Sequence, residues 1–341
     1  MKTTAQILNA KYPCDIFSAK DETKIKKEYK ALLMNFHPDL SGNKGIKKSV
    51  ANECTIIIND LYNKIKDNFD SWDDKTVIMF QAEITNKKYK IKTLYEDTFV
   101  MGRYYITENN LVYVIDGKYK KFYDNFIDSI NKIKFPSIST EESYKNFLPE
   151  IKYNFKDIDG NYIIILKKHG EIYPLRKVLN YFGGSLNERH IAWVLSRLYD
   201  FTCLMKYNNL SFNGIDIDNL FIDTENHTLR FYGMFYIKEI DEKLIGVPKS
   251  VLPLLNKDKI SDIKTDLQSI RLISRLLYND EYGSKIFMSS TLPSPLKKWM
   301  MTDASGDPVK EYENWDKCIV DSFGPKKFFT LKIEKNKILT R

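Results

Sequence analysis

The first strongly periodic stretch of the chain covers residues 21–68. In DETKIKKEYKALLMNF, which begins at Asp21, apolar residues recur at helical spacing and most of the lysines lie off that stripe. Pro38 disfavours helix at the preceding residue and removes an amide donor, so this helix is predicted to end within FHPDLSG. Helical spacing returns at about residues 48–68. The pattern therefore predicts two antiparallel helices joined by a loop of roughly ten residues, with FHPDLSG at one tip.

Strand-like runs follow these helices. TVIMF, YKIKTL, RYYITE, NLVYVID and NYIIILKK are short, rich in β-branched and aromatic residues, and separated by turn residues. From Leu175 the pattern becomes helical, with long helices predicted at residues 190–209 and 265–280 and the short strands NLFID and HTLRFYG between them. A sheet followed by helices predicts an α+β fold of two lobes.

Length and composition set the number of domains. With 341 residues, 43% of them hydrophobic, the chain can form two or three domains. We expect an all-α domain over residues 1–72 and an α+β domain over residues 76–341. The N-lobe of the second domain is expected at about residues 76–170 and its C-lobe at about residues 171–341.

Charge and cysteine content exclude several classes of protein. Lys and Arg outnumber Asp and Glu by 53 to 45, but the charges are interspersed, and no long basic run is interleaved with aromatic residues as in a nucleic-acid-binding stripe. The 4 cysteines lie far apart without a CxxC pair, which argues against a zinc ribbon or a disulfide framework. Neither a signal peptide nor a run of eighteen apolar residues is present, so a cytoplasmic protein without membrane association is expected.

The N-terminal pattern resembles a known family. An amphipathic basic helix, the triplet His37-Pro38-Asp39 at its C-terminal end and a second antiparallel helix together resemble the J domain of DnaJ co-chaperones over about residues 12–70. The resemblance implies that the triplet and the basic helix face bind the ATPase of a DnaK-type heat-shock chaperone and stimulate its ATP hydrolysis. As a bare tripeptide the triplet would indicate no more than a helix end.

The resemblance assigns roles to individual residues. His37, Pro38 and Asp39 match the invariant loop. The basic face is matched by three lysines and the contact aromatic by a tyrosine: Lys26, Lys27, Lys30 and Tyr29.

The chain departs from the family in three ways. Ala31 stands where many members continue the basic run, and the fourth short helix of many J domains is not evident in DNFDSWDD. The Gly/Phe-rich linker and CxxCxGxG zinc repeats of full-length DnaJ proteins are absent. The second domain is therefore expected to determine the target.

Order and spacing in the second domain resemble the protein-kinase fold, most specifically over residues 191–277. LSFNGIDIDNLFID resembles the catalytic loop, in which an HRD triplet is followed by an asparagine five residues after its aspartate. Aligning Asn219 with that asparagine places Phe212, Asn213 and Gly214 at the HRD positions. The family's aspartate, which acts on the substrate hydroxyl, is then replaced by Gly214.

Two further kinase positions also differ. LRFYGMFY aligns Phe231, Tyr232 and Gly233 with the DFG triplet, so an aromatic residue replaces the magnesium-binding aspartate. NLVYVID resembles the strand that carries the ATP-binding lysine, but Val114 or a neighbour fills that place, and no glycine-rich loop precedes it. Asp266, by contrast, matches the structural aspartate that opens the family's central helix. The second domain is thus interpreted as a pseudokinase, not an enzyme, with no cofactor and no metal.

Two alternatives to this interpretation stay open. The domain could be an unrelated α+β domain that happens to place an asparagine before a strand. It could also retain nucleotide binding through Asp218 and Asn219, with Asp216 replacing the lost aspartate.

Together the resemblances imply a co-chaperone that brings a DnaK-type chaperone to a client held by the second domain. No sequence feature identifies the client. Two other functions are compatible with the same residues: a chaperone decoy or inhibitor, for example from a phage or mobile element, and an atypical nucleotide-binding, kinase-like enzyme.

Overall fold

The computed structural model describes residues 2–18, 21–41, 45–67, 77–145, 147–325, 327 and 329–339. The chain forms two compact units, one of Met1–Met79 with Tyr89–Lys92 and the other of Phe80–Lys88 with Thr93–Arg341. We call them the helical unit and the two-lobed unit. The domain boundaries predicted at residues 72 and 76 lie outside the described residues.

The helical unit contains the predicted helix pair and three shorter helices. The carboxylate of Asp21 caps the long first helix of the pair by accepting a hydrogen bond from the amide of Lys24 at 2.8 Å. This helix ends at His37, whose backbone is extended, as is typical of a residue before proline. The predicted loop is partly helical, because the fixed φ of Pro38 suits a first helical turn. The helices are α1 (Thr4–Leu8), α2 (Pro13–Ile16), α3 (Glu22–Phe36), α4 (Pro38–Ser41) and α5 (Lys48–Asp67).

Helices α3 and α5 pack antiparallel. In the middle of α3, the hydroxyl of Tyr29 donates to Oδ1 of Asn59 at 2.8 Å and its ring stacks on Tyr62 with 3.8 Å between centroids. At the end of α3, the carbonyl of Phe36 accepts from the hydroxyl of Thr55 at 3.0 Å. The core that holds the pair together comprises Ile7, Ile16, Phe17, Ile25, Leu32, Phe36, Cys54, Ile58, Leu61 and Ile65.

A six-stranded sheet forms the first lobe of the two-lobed unit, and its strand order is β1-β2-β3-β4-β6-β5. Strands β1 and β2 contribute residues to both units. The connection from β4 to β5 carries two helices, which the sequence pattern does not predict. The elements are β1 (Val77–Gln81), β2 (Lys88–Phe99), β3 (Gly102–Thr107), β4 (Asn110–Ile115), α6 (Lys120–Lys132), α7 (Ile138–Lys145), β5 (Ile151–Lys156) and β6 (Tyr162–Lys167).

The second lobe is mainly helical. The long helices predicted at residues 190–209 and 265–280 are present, each displaced by two or three residues. Both are mostly buried and form the centre of the lobe. Its elements are β7 (Ile172–Pro174), α8 (Leu175–Tyr181), α9 (Glu188–Tyr207), β8 (Leu210–Ser211), β9 (Phe221–Asp223), β10 (Thr228–Arg230), β11 (Lys238–Glu239), α10 (Ile263–Leu277), α11 (Ser284–Met288), α12 (Ser294–Met301), α13 (Pro308–Phe323) and α14 (Lys335–Ile338).

The predicted α+β architecture with a sheet lobe and a helical lobe is therefore present in the two-lobed unit. Within the described residues, no helix combines the length and the apolar character needed to cross a bilayer.

Candidate functional site

The first candidate site is the tip formed by His37, Pro38 and Asp39. The side chains of His37 and Asp39 are 44% and 73% exposed. Nδ1 of His37 accepts a hydrogen bond from the backbone amide of Asp39 at 3.3 Å. The same nitrogen lies 3.7 Å from Oδ2 of the Asp39 carboxylate. The imidazole is therefore turned towards the Asp39 backbone, while the carboxylate remains accessible to a partner.

A row of exposed lysines leads to this tip. Lys26, Lys27 and Lys30 are exposed on α3, and within the described part of the chain no carboxylate pairs with their ammonium groups. Lys26, Lys30 and His37 are spaced by four and seven residues, so they follow one side of the helix. Ala31, which interrupts the basic run in the sequence, is also exposed. The surface is thus a short cationic strip that ends in a carboxylate.

Tyr29 has a different position from the three lysines. Its hydroxyl and ring are engaged by Asn59 and Tyr62 of α5, and the side chain is half-buried. Its contacts in the helical unit are therefore mainly internal.

The second candidate site is a cleft of about 710 Å³ in the two-lobed unit. Its lining comes from the β2–β3 hairpin, the junction of β7 with α8, residues 216–219 and residues 248–253. The residues that the sequence aligns with kinase motifs lie in or behind this cleft.

Asp266 organises the backbone behind the cleft. It lies in the first turn of α10 and is 1% exposed. Oδ2 accepts from the Ser211 hydroxyl and the Phe212 amide, and Oδ1 accepts from the Asn213 amide, each at 2.7 Å. Asn213 has a left-handed backbone (φ 54°), and its side-chain amide donates to the carbonyl of Ser211 at 2.9 Å and to the hydroxyl of Ser261 at 3.1 Å. One carboxylate thereby fixes the turn that precedes Gly214.

Gly214 is buried, and the space next to it is filled. A Cβ atom added there would lie 3.0 Å from Cδ2 of Tyr236 and 3.5 Å from the carbonyl oxygen of Phe212. The ring of Tyr236 therefore limits any larger side chain at this position.

The residues aligned with the metal site also make internal contacts. The Asn219 side-chain amide donates to the carbonyl of Gly214 at 3.1 Å. A Cβ on Gly233 would lie 2.8 Å from the carbonyl oxygen of Asn219, so these two backbones are in close contact. Phe231 is buried, with its ring stacked on Phe201 at 3.7 Å. Within the described residues, no group of three or more His, Cys, Asp or Glu side chains could hold a metal ion.

Aromatic rings from both lobes meet at the inner end of the cleft, and we call them the cleft cluster. Tyr104 contacts Phe221 edge-on at 5.8 Å, Phe99 lies 5.6 Å from Phe235, and Tyr113 lies 5.0 Å from Phe235, all between ring centroids. Burial raises the pKa of the Tyr104 and Tyr113 phenols, so both stay neutral. Tyr113 precedes Val114, the residue that the sequence places at the lysine position, and Val114 is itself buried. The cluster therefore links β2, β3 and β4 of the sheet to Phe221 of β9 and to Phe235.

Two of the four acidic residues that line the cleft, Asp216 and Asp218, lie in the segment that the sequence aligns with the catalytic loop. Asp216 is 7% exposed; its Oδ1 accepts from the amide of Asp218 at 2.7 Å, and its Oδ2 accepts from the hydroxyl of Ser250. Burial raises the pKa of Asp216. Asp218 is exposed and forms a bidentate ion pair with Arg176, in which Nη2 donates to Oδ2 at 2.7 Å. Both carboxylates thus already have protein donors.

ATP with magnesium is expected to leave the thermal unfolding temperature of the chain unchanged. The cleft cluster closes only the inner end of the cleft, but the positions that the sequence aligns with the kinase motifs, Gly214, Phe231 and Val114, offer no carboxylate or lysine to phosphates and metal. A nucleotide present at about 100 times its Kd would add about 2.7 kcal/mol to the free energy of unfolding, a change that scanning fluorimetry detects. A rise at millimolar ATP and magnesium, absent with magnesium alone, would instead support the nucleotide-binding alternative.

The stability of the two-lobed unit is expected to depend on the ionisation of Asp266. Burial outweighs three hydrogen bonds and raises the pKa of this carboxyl to about 7, from an ordinary value of 3.8. The folded state then binds the proton more tightly than the unfolded chain, so the associated stability is complete below the ordinary pKa and is lost as pH rises through about 7.

The test compares wild type with Asp266→Asn, which shares every other titrating group. The free energy of unfolding of wild type minus that of the variant, from urea titrations, should be larger at pH 5 than at pH 8. A difference that is constant or grows with pH contradicts the assignment.

The cleft cluster is the part of the site that the sequence does not predict. Its members lie on separate strands and loops, and the strand pattern does not tell which face of each strand points into the cleft. The available signal was the aromatic content of 13%, which suits half-buried strands and protein-binding surfaces equally.

Comparisons with known proteins bear on the fold. No family model matches the chain. No curated protein matches it either. Among solved structures, that of vaccinia related kinase 3 is similar, with a TM-score of 0.51 and 14% sequence identity over 72% of this chain and 91% of the other. At this identity the similarity establishes the fold alone: the chain contains a two-lobed α+β unit with a protein-kinase-like fold.

Proposed function

We propose that the chain is a J-domain co-chaperone with a catalytically inactive kinase-like domain. In this proposal the helical unit binds a DnaK-type heat-shock ATPase and stimulates its ATP hydrolysis, and the two-lobed unit holds an unidentified client protein. The observation that carries the proposal is the exposed His37-Pro38-Asp39 tip at the end of a helix whose exposed side carries Lys26 and Lys30.

The chemistry of the tip supports docking on a protein surface. The Asp39 carboxylate can accept paired hydrogen bonds from an arginine of the chaperone. Pro38 restricts the backbone, so less conformational entropy is lost on binding. The lysines of α3 would steer the unit towards an acidic surface and raise the association rate more than the affinity.

The geometry of the cleft supports the inactive assignment. Gly214 offers no carboxylate to a substrate hydroxyl, and Phe231, which the sequence aligns with the magnesium ligand, is a buried aromatic residue stacked on Phe201. Neither side chain offers a ligand to a magnesium–ATP complex, which supports the proposal of an inactive domain. Only the chaperone would hydrolyse ATP.

Tethering supplies the advantage of joining the two units. A client bound by the two-lobed unit would meet the chaperone at the effective concentration set by the connection, which raises overall binding without any new contact.

The second candidate function is that of a decoy, which binds the chaperone without delivering a client. The alanine at position 31, in the exposed basic strip of α3, favours this function. With the exposed basic strip shortened at this residue, the helical unit could bind the chaperone without triggering hydrolysis. An excess of the chain would then inhibit refolding by the chaperone.

The experiment measures chaperone binding by calorimetry and steady-state ATP turnover on the same samples of a DnaK-type chaperone. The co-chaperone proposal predicts binding together with a rise in turnover. Binding without a rise, combined with inhibition of refolding in excess, indicates the decoy. Absence of binding to the ATP-loaded chaperone contradicts both.

A further inference from the structure

A second cavity lies in the helical lobe of the two-lobed unit, between α9 and α13. It has a volume of about 310 Å³. Side chains of α9 at i, i+4 and i+8 form one wall, starting at Arg189, and α13 forms the opposite wall. His227, from the β9–β10 turn, and the segment after α13 complete the lining.

The charged side chains that line this cavity are all cationic among the described residues. Three cationic side chains, Arg189, Arg197 and Lys327, line it, and within the described residues no carboxylate does. Arg197 is partly neutralised by Asp200, whose Oδ2 lies 3.4 Å from Nη1. Arg189 has no acidic partner in the described part of the chain. Burial lowers the pKa of His227, so the fixed charge is that of the arginines and the lysine.

Aromatic rings form the remaining walls. Trp193 packs against the imidazole of His227 at 4.3 Å, and the guanidinium of Arg189 lies 4.9 Å from the ring centre of Phe323. Tyr312 lines the same wall of α13 as Phe323. A planar cation held against a ring is oriented by packing, so little side-chain entropy is lost when it binds an anion.

We propose that this cavity binds an acidic peptide segment of the client, with an aromatic side chain of the peptide between Trp193 and Phe323 and flanking carboxylates on Arg189 and Lys327. Rings paired with arginines are the groups that most often anchor protein interfaces. The inference rests on the proposed function, because it specifies which chemical groups of the client the two-lobed unit would recognise.

The size of the cavity favours a peptide over other anionic ligands. Its volume of about 310 Å³ lies at the lower end of the range usual for small-molecule sites, about 300–1,000 Å³, which suits one or two side chains of a peptide. Single-stranded nucleic acid needs a groove of cations that follows the backbone over several nucleotides. The described lining offers three cations around one concavity.

The test uses a fluorescein-labelled pentapeptide with one phenylalanine between two pairs of glutamates, and fluorescence anisotropy with the full chain. Two matched peptides replace the glutamates by lysines or the phenylalanine by alanine. Arg189→Gln and Lys327→Gln remove one cation each, and Lys310→Gln is the control, because Lys310 is exposed on α13 and does not line the cavity.

The acidic phenylalanine peptide should bind at least about tenfold tighter than either matched peptide, and Arg189→Gln should weaken it about tenfold, the size expected for one charge-assisted contact. Lys310→Gln should bind as wild type does. The proposal is overturned if both cavity variants bind like the control, if the lysine peptide binds equally well, or if oligouridylate displaces the acidic peptide.

This outcome can be separated from that of the proposed function. Peptide binding is measured without chaperone, and chaperone turnover is measured without peptide. If the peptide does not bind but chaperone turnover rises, the co-chaperone proposal stands and the peptide site is rejected. If the peptide binds but chaperone turnover does not rise, the peptide site stands and the co-chaperone proposal is rejected.

Discussion

Replacing His37 with glutamine is expected to reduce stimulation of a DnaK-type chaperone to the level without added protein. Nδ1 of His37 accepts the amide of Asp39 and holds the tip in one arrangement, which a flexible glutamine would not maintain. His37 is 44% exposed and its backbone amide is bonded within α3, so the substitution should leave the fold intact. Steady-state ATP turnover by the chaperone at saturating concentrations of each protein measures the effect.

Lys11→Gln is the matched control for this variant. Lys11 is also exposed in the helical unit, but it lies between α1 and α2 and belongs neither to the tip nor to the exposed lysines of α3. The control should stimulate as wild type does. If His37→Gln keeps most of the stimulation, or if both variants lose it, the tip is not the contact proposed here.

Replacing Asp266 with alanine is expected to lower the free energy of unfolding of the two-lobed unit by about 3–5 kcal/mol. Losses of this size are found when one partner of a buried charged pair is removed and the groups bonded to it stay unsatisfied. The change leaves the amides of Phe212 and Asn213 and the hydroxyl of Ser211 without their acceptor in a buried site. Urea denaturation followed by tryptophan fluorescence measures it, since Trp193, Trp299 and Trp315 all lie in this unit.

Asp262→Ala provides the comparison at the same end of α10. Asp262 caps the helix by accepting from the amide of Lys264 at 2.9 Å, and loss of such a cap costs about 1 kcal/mol. If Asp266→Ala is no more destabilising than Asp262→Ala, the buried network does not hold the turn before Gly214.

The structure contains the four predicted helices whose apolar residues repeat most regularly along the sequence. Helices α3, α5, α9 and α10 repeat their apolar residues over fifteen or more positions, which makes the pattern distinctive. The ends of α9 and α10 differ from the prediction by two or three residues, because capping by Asn187 and Asp262 fixes their first turns locally.

Elements without a strong pattern could not be predicted. Helix α7 has a weak apolar stripe and no buried side chain among its described residues, so neither its sequence nor its packing marks it as a helix. Pro38 ended α3 as predicted, but it also opened α4, since proline is as suitable at a first helical position as it is unsuitable inside a helix.

For the cleft too, the sequence assigns positions along the chain but not contacts between distant residues. The alignment of Gly214 and Phe231 with the kinase carboxylate positions comes from the sequence motifs around Asn219 and Gly233, and it stays a prediction. The contact between Tyr104 and Phe221 could not be predicted, because it joins residues of opposite lobes that are more than a hundred positions apart.

Single-turnover ATP hydrolysis by a DnaK-type chaperone tests the central claim most directly, because it isolates the hydrolysis step from nucleotide release. The preformed chaperone–ATP complex is mixed with wild type, His37→Gln or Lys11→Gln. We predict that wild type and Lys11→Gln accelerate hydrolysis and that His37→Gln does not. An unchanged hydrolysis rate with wild type, at concentrations where binding is saturated, would contradict the co-chaperone account.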